Sequence, residues 1–322
     1  MRCVTSDLAA PGPAAEDPAP RNPAHEDPAR EDPAREDGLE TWLSSRAPGG
    51  RLSTKSRAVI HVLHTKPRTA SYGGAAEVAQ LAGTTVATVT RTAQTLGFDG
   101  WPALQQELRA RYLSSLSAPQ VAAEHGTLTD APAAASLRRD VDDLAVLSRS
   151  TDPATVAAVA RAVAGARRTL VIASGSYAGV GTALAHNAGL AGYDVQLHDG
   201  ASASMVNALA SVGPQDVVVT ISFWRLYTSA VRAAQAAAQR GATVCSLTDS
   251  ASGPLAAAAD HVLLVPAEGV SFFPSLTPAL AVVQAVCAEL ATIDPARTRA
   301  SVEAADGLWD AFGLLDRAPR RP

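Results

Sequence analysis

The stretch after residue 168 constrains the fold most, because largely apolar runs alternate there with Ala-rich segments. Five runs have the length and composition of strands: TLVIAS (169–174), DVQLH (194–198), DVVVTIS (216–222), TVCSLT (243–248) and HVLLVP (261–266). Ala-rich segments typical of helices separate them, near 178–191, 203–211, 228–240 and 253–259, and a last one follows near 277–293. Continuous apolar strands that are each followed by a helix predict an α/β doubly wound, parallel five-stranded sheet covered on both faces.

A helical pattern precedes this region. The first predicted helix begins after Ser53 or Thr54, and the second runs through AAEVAQLA (75–82). The third begins after Thr84 or Thr85 and stops at Gly97, and a fourth ends near Tyr112. Gly83 provides the tight turn between the second and third of them. Two helices joined by a short turn with glycine predict a helix-turn-helix domain, all-α, ahead of the sheet.

The polar residues of this module suit double-stranded DNA. Arg91 can pair with a guanine edge or a phosphate, Gln94 can reach adenine, and threonine suits phosphates and thymine methyls. We therefore predict a DNA-contacting set: Thr84, Thr85, Thr88, Arg91, Gln94, Thr95, Lys55 and Arg57. The alternative is a packed helical hairpin whose outer face is only solvated.

Charge is divided along the chain in a way that favours DNA binding. Residues 1–40 carry four Arg and ten Asp/Glu, a net of −6, whereas residues 41–115 carry nine Lys/Arg and three acids, a net of +6. The remainder has fourteen bases and eighteen acids, a net of −4. A basic module between acidic segments predicts a polyanionic partner for that module alone.

Composition also suggests the domain boundaries. Glu-Asp-Pro-Ala repeats with dense charge predict a disordered tail, and an Ala/Pro/Gly/Thr-rich stretch predicts a linker. The expected order is a disordered acidic tail (1–40), the helix-turn-helix domain (41–115), a linker (116–136), an effector-binding domain (137–300) and a C-terminal tail (301–322).

Several classes of protein are disfavoured by what the sequence lacks. The cysteines Cys3, Cys245 and Cys287 are far apart, so we predict neither a disulfide framework nor a metal site, and no motif implies a cofactor. The apolar stretch 276–293 is interrupted by polar residues and proline, so no membrane span is predicted. The N-terminus has no charged start before an apolar core, and we expect a cytoplasmic protein.

The motifs of both halves resemble those of one family, the RpiR/MurR family of bacterial transcriptional regulators. The family pattern LA…S…TV.R….LGF.G is matched by Leu81-Ala82, Thr85, Thr88-Val89, Arg91, Leu96-Gly97-Phe98 and Gly100, with Thr85 where Ser is usual. ASGSYAG (173–179) and LTDSASGPLAAAADHVLLV (247–265) resemble the sugar isomerase (SIS) domain of that family. The resemblance implies a homodimer or homotetramer whose SIS domain senses a small anionic metabolite, a sugar phosphate or related compound, and alters operator binding.

The resemblance also implies an effector site. Ser174 and Ser176 match the first SIS loop, where hydroxyls at a helix N-terminus can hold an anion, although Ser176 can equally be an ordinary cap. Glu268 lies near the expected carboxyl ends of the strands, with a solvated loop as the alternative. The full predicted effector set is Ser174, Ser176, Ser222, Arg225, Thr228 and Glu268.

The loop after the third strand departs from the SIS pattern. Ser-x-Ser-Gly-x-Thr is replaced by Ser222-Phe223-Trp224-Arg225-Leu226-Tyr227. In one interpretation Arg225 grips a carboxylate or phosphate while Trp224 or Tyr227 stacks on the ligand. In the other, Phe223 and Trp224 fill the pocket and serve packing or a subunit contact.

Catalysis is not expected. Aldose–ketose isomerisation needs a Glu or His base, and the helices at 178–191 and 228–240 contain no Glu or Asp. His186 and His198 have the settings of structural histidines, so no catalytic residue is predicted. Two alternatives remain: a SIS-type sugar-phosphate isomerase, and a metabolite sensor that acts through a protein partner.

Overall fold

The N-terminal region of the computed structural model is helical. The structure describes residues 38–47, 52–125 and 131–316, so most of the predicted acidic tail lies outside the described residues. Six helices come first: α1 (Leu39–Arg46), α2 (Thr54–Thr65), α3 (Pro67–Tyr72), α4 (Ala75–Leu81), α5 (Val86–Thr95) and α6 (Trp101–Ser115). Helices α4 and α5 form the predicted helix-turn-helix, and Gly83 turns between them with a φ of +59°.

Side-chain caps fix where these helices begin. Ser53 Oγ accepts a hydrogen bond from Ser56 N at 3.0 Å, and Thr85 Oγ1 accepts one from Thr88 N at 3.3 Å. On α5 and at its C-cap, Val89, Ala93 and Leu96 are buried, but Val86 is 47% exposed. Thr92 is buried instead, and its hydroxyl donates to Thr88 O at 2.8 Å, which satisfies the polar group within its own helix.

Three helices lie between α6 and the sheet: α7 (Ala118–His125), α8 (Pro132–Ser150) and α9 (Pro153–Gly165), of which α9 packs in the core of the sheet domain. Helix α7 lies within the segment predicted as a linker, and it packs against the rest of the protein. Its Val121 is fully buried, and Glu124 accepts hydrogen bonds from Arg68 at 2.6 Å and Tyr112 at 3.0 Å. Asp152 caps α9 by accepting from Ala154 N at 3.0 Å.

A five-stranded, all-parallel sheet forms the second domain and confirms the predicted fold class. Its strands are β1 (Thr169–Ala173), β2 (Val195–His198), β3 (Val217–Ile221), β4 (Thr243–Thr248) and β5 (His261–Leu264). They are ordered β2-β1-β3-β4-β5, with Thr169 beside Val217 and Val217 beside Thr243 in register. The inner strands β1 and β3 are buried at every position, which explains their continuous hydrophobicity.

Helices cover both faces of the sheet. They are α10 (Tyr177–Leu190), α11 (Ala203–Ala210), α12 (Thr228–Gln239), α13 (Pro254–Ala257), α14 (Thr277–Ile293) and α15 (Pro295–Phe312). Helix α15 crosses residue 300, where composition placed the domain boundary. Asp294 caps it by accepting from Arg297 N at 2.9 Å, and Gly313 ends it with a φ of +62°.

Within the described ranges, no single helix has both the length and the apolar composition to cross a membrane. Helices α14 and α15 meet those criteria only as a pair, and they are bent by 106° relative to each other.

Candidate DNA-binding face and effector site

The predicted reading helix presents its polar residues outward. Arg91, Gln94 and Thr95 on α5 are exposed, whereas Thr88 is half-buried and hydrogen-bonded to the capping Thr85 hydroxyl at 3.1 Å. Thr84 Oγ1 is buried and has no hydrogen-bond partner among the described residues. Lys55 and Arg57 are exposed in the first turn of α2.

Only part of the basic charge of this domain faces solvent. Arg109 and Arg111 turn towards acidic groups between the domains, Arg68 pairs with Glu124, and the Arg46 guanidinium lies over Phe98 at 4.9 Å. Within the described ranges, exposed bases with no ion pair remain on α2 and α5 and just after α2: Lys55, Arg57, Lys66 and Arg91. The charge available to a polyanion is therefore smaller and more localised than the net of +6 suggests.

The two loops that carry Ser174 and Ser222 of the predicted effector set are closed by their own residues. Ser222 is fully buried, and its Oγ accepts a hydrogen bond from Tyr227 N at 3.1 Å, inside its own loop. Ser174 is buried at the end of β1. A Cβ added at Gly175, which has a φ of +60°, would collide with Tyr227 Oη. The Tyr227 side chain thus lies over the first loop, where an anion would rest.

Aromatic packing completes this closure. Phe223 is fully buried, and its ring meets that of Tyr177 edge-on at 5.1 Å; the Tyr177 hydroxyl donates to Phe223 O at 3.2 Å. Trp224 is 5% exposed, has a φ of +31° that L-residues rarely adopt, and donates its backbone N–H to Asp249 Oδ1 at 2.9 Å. These are the positions that the packing interpretation of the loop requires.

The other predicted effector residues are spread over the surface. Ser176, Arg225 and Thr228 are exposed, and Ser176 makes no side-chain capping hydrogen bond. Arg225 has no ion pair within the part of the chain that the structure describes. Ser174 and Ser222 follow neighbouring strands β1 and β3, whereas Glu268 follows β5 at the edge of the sheet.

Glu268 binds the helical domain rather than solvent. Its carboxylate, 8% exposed, accepts from the Tyr72 hydroxyl at 2.6 Å and lies 2.9 Å from His125 Nε2. Arg139 and Arg109 approach the second oxygen at 3.2 and 3.4 Å. Burial alone would raise the pKa of Glu268, but the His125 hydrogen bond and the neighbouring cations hold it below its usual value.

A second carboxylate, on the helical domain, contacts the sheet domain, and sequence analysis did not identify it. Glu107 projects from α6 and is 2% exposed. It accepts hydrogen bonds from Ser250 Oγ at 2.8 Å, Ala251 N at 2.8 Å and Ser252 Oγ at 2.5 Å, all in the loop after β4. Arg111 Nε, one turn further along α6, lies 2.9 Å from the same carboxylate.

Asp249 begins this loop. Burial raises its pKa to about 7, and the nearby Glu107 and Glu268 charges act in the same direction, although the Trp224 N–H lowers it. The small cavity beside it, about 40 Å³, is lined by Arg109, Ala110, Leu113, Arg139, Trp224 and Glu268. That volume suits water, whereas metabolite pockets are several times larger.

The raised pKa of Asp249 predicts a pH-dependent stability difference. Because the folded-state pKa lies above that of an unfolded aspartate, about 4, its stabilising contribution is complete below pH 4 and is lost as the pH rises through about 7. We therefore expect Asp249→Asn to gain melting temperature relative to wild type between about pH 5 and pH 8. Asp142→Asn, at an exposed position on α8, is the control; parallel curves for all three proteins would contradict the assignment.

Among the described residues, no group of three or more His, Cys, Asp or Glu side chains is placed to hold a metal ion. The free thiols Cys245 and Cys287 lie on β4 and α14. Burial raises the pKa of Cys245 to about 12, so this thiol is inert.

Two family models match this chain, one in each of its two domains. The model of the helix-turn-helix domain of the rpiR family matches residues 43–115, and the SIS domain model matches residues 162–288. A comparison with curated proteins gives no significant match.

Two solved structures share the fold. The sugar isomerase domain of an RpiR transcription factor from Sphaerobacter thermophilus is 30% identical, with a TM-score of 0.52; the match covers 53% of this chain and 96% of that one. The Vibrio vulnificus NanR protein, solved in complex with ManNAc-6P, is 20% identical, with a TM-score of 0.52, and the match covers 87% and 100% of the two chains. With its helix-turn-helix domain followed by a SIS domain, this chain belongs to the RpiR family.

Proposed function

We propose that this protein is a transcriptional regulator that binds an operator in double-stranded DNA and responds to a small anionic metabolite. The observation that carries the proposal is the outward polar face of α5, with Arg91, Gln94 and Thr95 exposed on the second helix of a helix-turn-helix. Guanidinium and amide groups on the second helix of a helix-turn-helix can read base edges in the major groove. Thr85, Thr88, Lys55 and Arg57 are proposed to contact the DNA backbone, and Thr84 would join them only if its buried hydroxyl became exposed on binding.

The SIS domain is the proposed effector-binding domain. The Vibrio vulnificus NanR protein, which shares the fold, was solved with a phosphosugar. The closed loops of this chain favour a ligand that contacts the outer residues first, so we assign Ser176, Arg225 and Thr228 to initial anion contact. Ser174 and Ser222 then become accessible only if Tyr227 moves, and Glu268 only if the helical domain moves.

The same domain combination favours a regulator over a sugar-phosphate isomerase. A single helix-turn-helix reads a short half-site, so we propose a cytoplasmic homodimer or homotetramer whose paired domains read a palindrome. An effector that binds preferentially to one spacing of the two helix-turn-helix domains would then set how much of the operator is occupied.

Arg91→Ala tests the proposal. We expect this substitution to weaken binding to duplex DNA from upstream of the gene on the order of 10-fold, since an arginine at a base edge or phosphate contributes about 1–3 kcal/mol. Fluorescence anisotropy at about 50 and 200 mM salt measures the affinity and its salt dependence.

Arg232→Ala is the matched control, because Arg232 is an exposed arginine on α12 of the other domain. It should bind as wild type does. Equal affinities for wild type and Arg91→Ala would remove α5 from the DNA interface, and failure of wild type to bind any duplex at the lower salt would overturn the proposed function.

A further inference from the structure

The loop after β4 holds a carboxylate that belongs to the other domain. Two hydroxyls and one backbone N–H of residues 250–252 converge on Glu107, at 2.5–2.8 Å. Arg111 binds both sides of this contact, because its Nε lies 2.9 Å from Glu107 and its Nη2 donates to Ser252 Oγ at 2.9 Å. Three donors and a cation around one planar anion form a complete carboxylate site.

Burial makes this contact more than a chance surface pair. Glu107 is 2% exposed, and removing an ionised carboxylate from water is costly unless donors replace its hydration. Here most of those donors come from a loop about 145 residues further along the chain. The loop therefore serves as a binding site that the helical domain fills, and without an anion its hydroxyls and N–H would face the domain interface unpaired.

The position of the loop connects it to the proposed effector site. Asp249 starts the loop and accepts the Trp224 N–H that fixes the β3 loop. Helix α6 covers this edge of the sheet, since Arg109, Ala110 and Leu113 line the cavity of about 40 Å³ together with Trp224. Ligands of open parallel sheets bind at the carboxyl ends of the strands, so a metabolite can enter fully only when α6 moves away.

We propose that residues 250–252 form a carboxylate-binding site of the SIS domain, that Glu107 occupies it in cis, and that this latch holds the DNA-binding domain over the effector site. Its ligand class is a small carboxylate, whose binding in place of Glu107 frees α6. The tethered Glu107 competes at a high effective concentration, so a free carboxylate needs further contacts to displace it. The regulatory consequence rests on the proposed function, whereas the site itself does not.

Acetate rescue of Glu107→Ala tests the site. The substitution removes a methylene and a carboxylate, and acetate has the size and charge of the missing group. We expect acetate to raise the melting temperature of Glu107→Ala saturably and to leave wild type unchanged, because the wild-type site is filled. Acetamide, which is neutral, should not rescue. Equal effects of acetate on both proteins, or none on the variant, would overturn the proposal.

Two further variants make the test specific. Glu303→Ala removes an exposed carboxylate from α15 and should not respond to acetate. Adding Ser252→Ala to Glu107→Ala should abolish the rescue, because it removes a loop donor. If Glu107→Ala does not fold, Glu107→Gln keeps the side-chain volume. The Ala251 amide hydrogen should then exchange faster than in wild type, since a neutral acceptor binds it more weakly, and unchanged exchange would contradict the proposal.

The regulatory consequence needs DNA. We expect the affinity of Glu107→Ala for the upstream duplex to differ from wild type by at least about 3-fold and to return towards wild type with acetate. If Glu107→Ala binds the duplex as wild type does, while acetate still raises its melting temperature, the Glu107 contact is structural and does not regulate DNA binding. If no protein binds DNA, the proposed function fails, but the rescue of stability still decides whether the loop is a carboxylate site.

Discussion

Glu268→Ala is expected to cost about 3–5 kcal/mol of unfolding free energy, because it removes one partner of a buried charged network. The substitution leaves Arg109 and Arg139 facing each other without their shared carboxylate. It also leaves the Tyr72 hydroxyl and His125 without an acceptor, and Tyr72 does not compensate by ionising, since burial alone still raises its pKa. Urea unfolding monitored by circular dichroism measures the loss.

Two comparisons separate the network from simple loss of a side chain. Glu289→Ala, at an exposed position on α14, should change stability by less than about 0.5 kcal/mol. Glu268→Gln keeps the shape but not the charge. Because the folded-state pKa of Glu268 is lowered, its contribution is present above the unfolded pKa and is lost as pH falls through the folded value, so wild type and Glu268→Gln should converge in acid. A constant difference across pH would refute this account.

Local patterns explain why most of the fold was predictable. Each strand of the sheet is a short apolar run between turn residues, and each cap, such as Ser53 or Thr85, acts within three residues of its partner. Helix α3 was not predicted; it begins at Pro67, directly after α2, where proline is tolerated in a first helical turn. Helix α7 has only a single buried apolar residue, Val121, and therefore lacks a recognisable stripe.

The interdomain contacts were not predictable, for a physical reason. Glu107 and Ser252 lie 145 residues apart, and neither periodicity nor spacing relates them. Glu107 is an acidic residue in a basic helix. A count of net charge includes it only as one negative charge and does not reveal its contact. Its burial and that of Glu268 show that part of the domain's basic charge, on Arg109 and Arg111, neutralises carboxylates inside the protein.

The loop after β3 illustrates what composition leaves open. Sequence analysis allowed either Arg225 to grip an anion while Trp224 or Tyr227 stacks on the ligand, or Phe223 and Trp224 to fill the pocket and serve packing or a subunit contact. The backbone direction at Trp224 separates these two interpretations. Its φ of +31° turns the indole into the core, while Arg225 faces solvent. Residue types alone do not encode that turn, because a positive φ is typical of glycine and not of tryptophan.

Phe223→Ala should therefore be strongly destabilising, by about 3–5 kcal/mol, as expected for truncating a fully buried aromatic side chain. The ring lies edge-on to Tyr177 with centroids 5.1 Å apart, and Tyr177 also contacts Tyr227 at 6.0 Å. Removing the Phe223 ring leaves a cavity at the centre of this cluster. If the aromatic residues of this loop instead formed an open ligand site, they would be partly exposed without ligand. Phe223→Ala would then reduce the unfolding free energy far less.

Phe273→Ala is the matched control, since Phe273 is 72% exposed near the same edge of the sheet and should cost less than about 0.5 kcal/mol. Comparable losses for the two variants would show that Phe223 is not a core residue in solution. The expected contrast would instead establish that aromatic packing replaces the glycine and hydroxyl groups of the SIS loop. An anionic effector must then either displace Tyr227 or bind outside the cluster, where Arg225 is exposed.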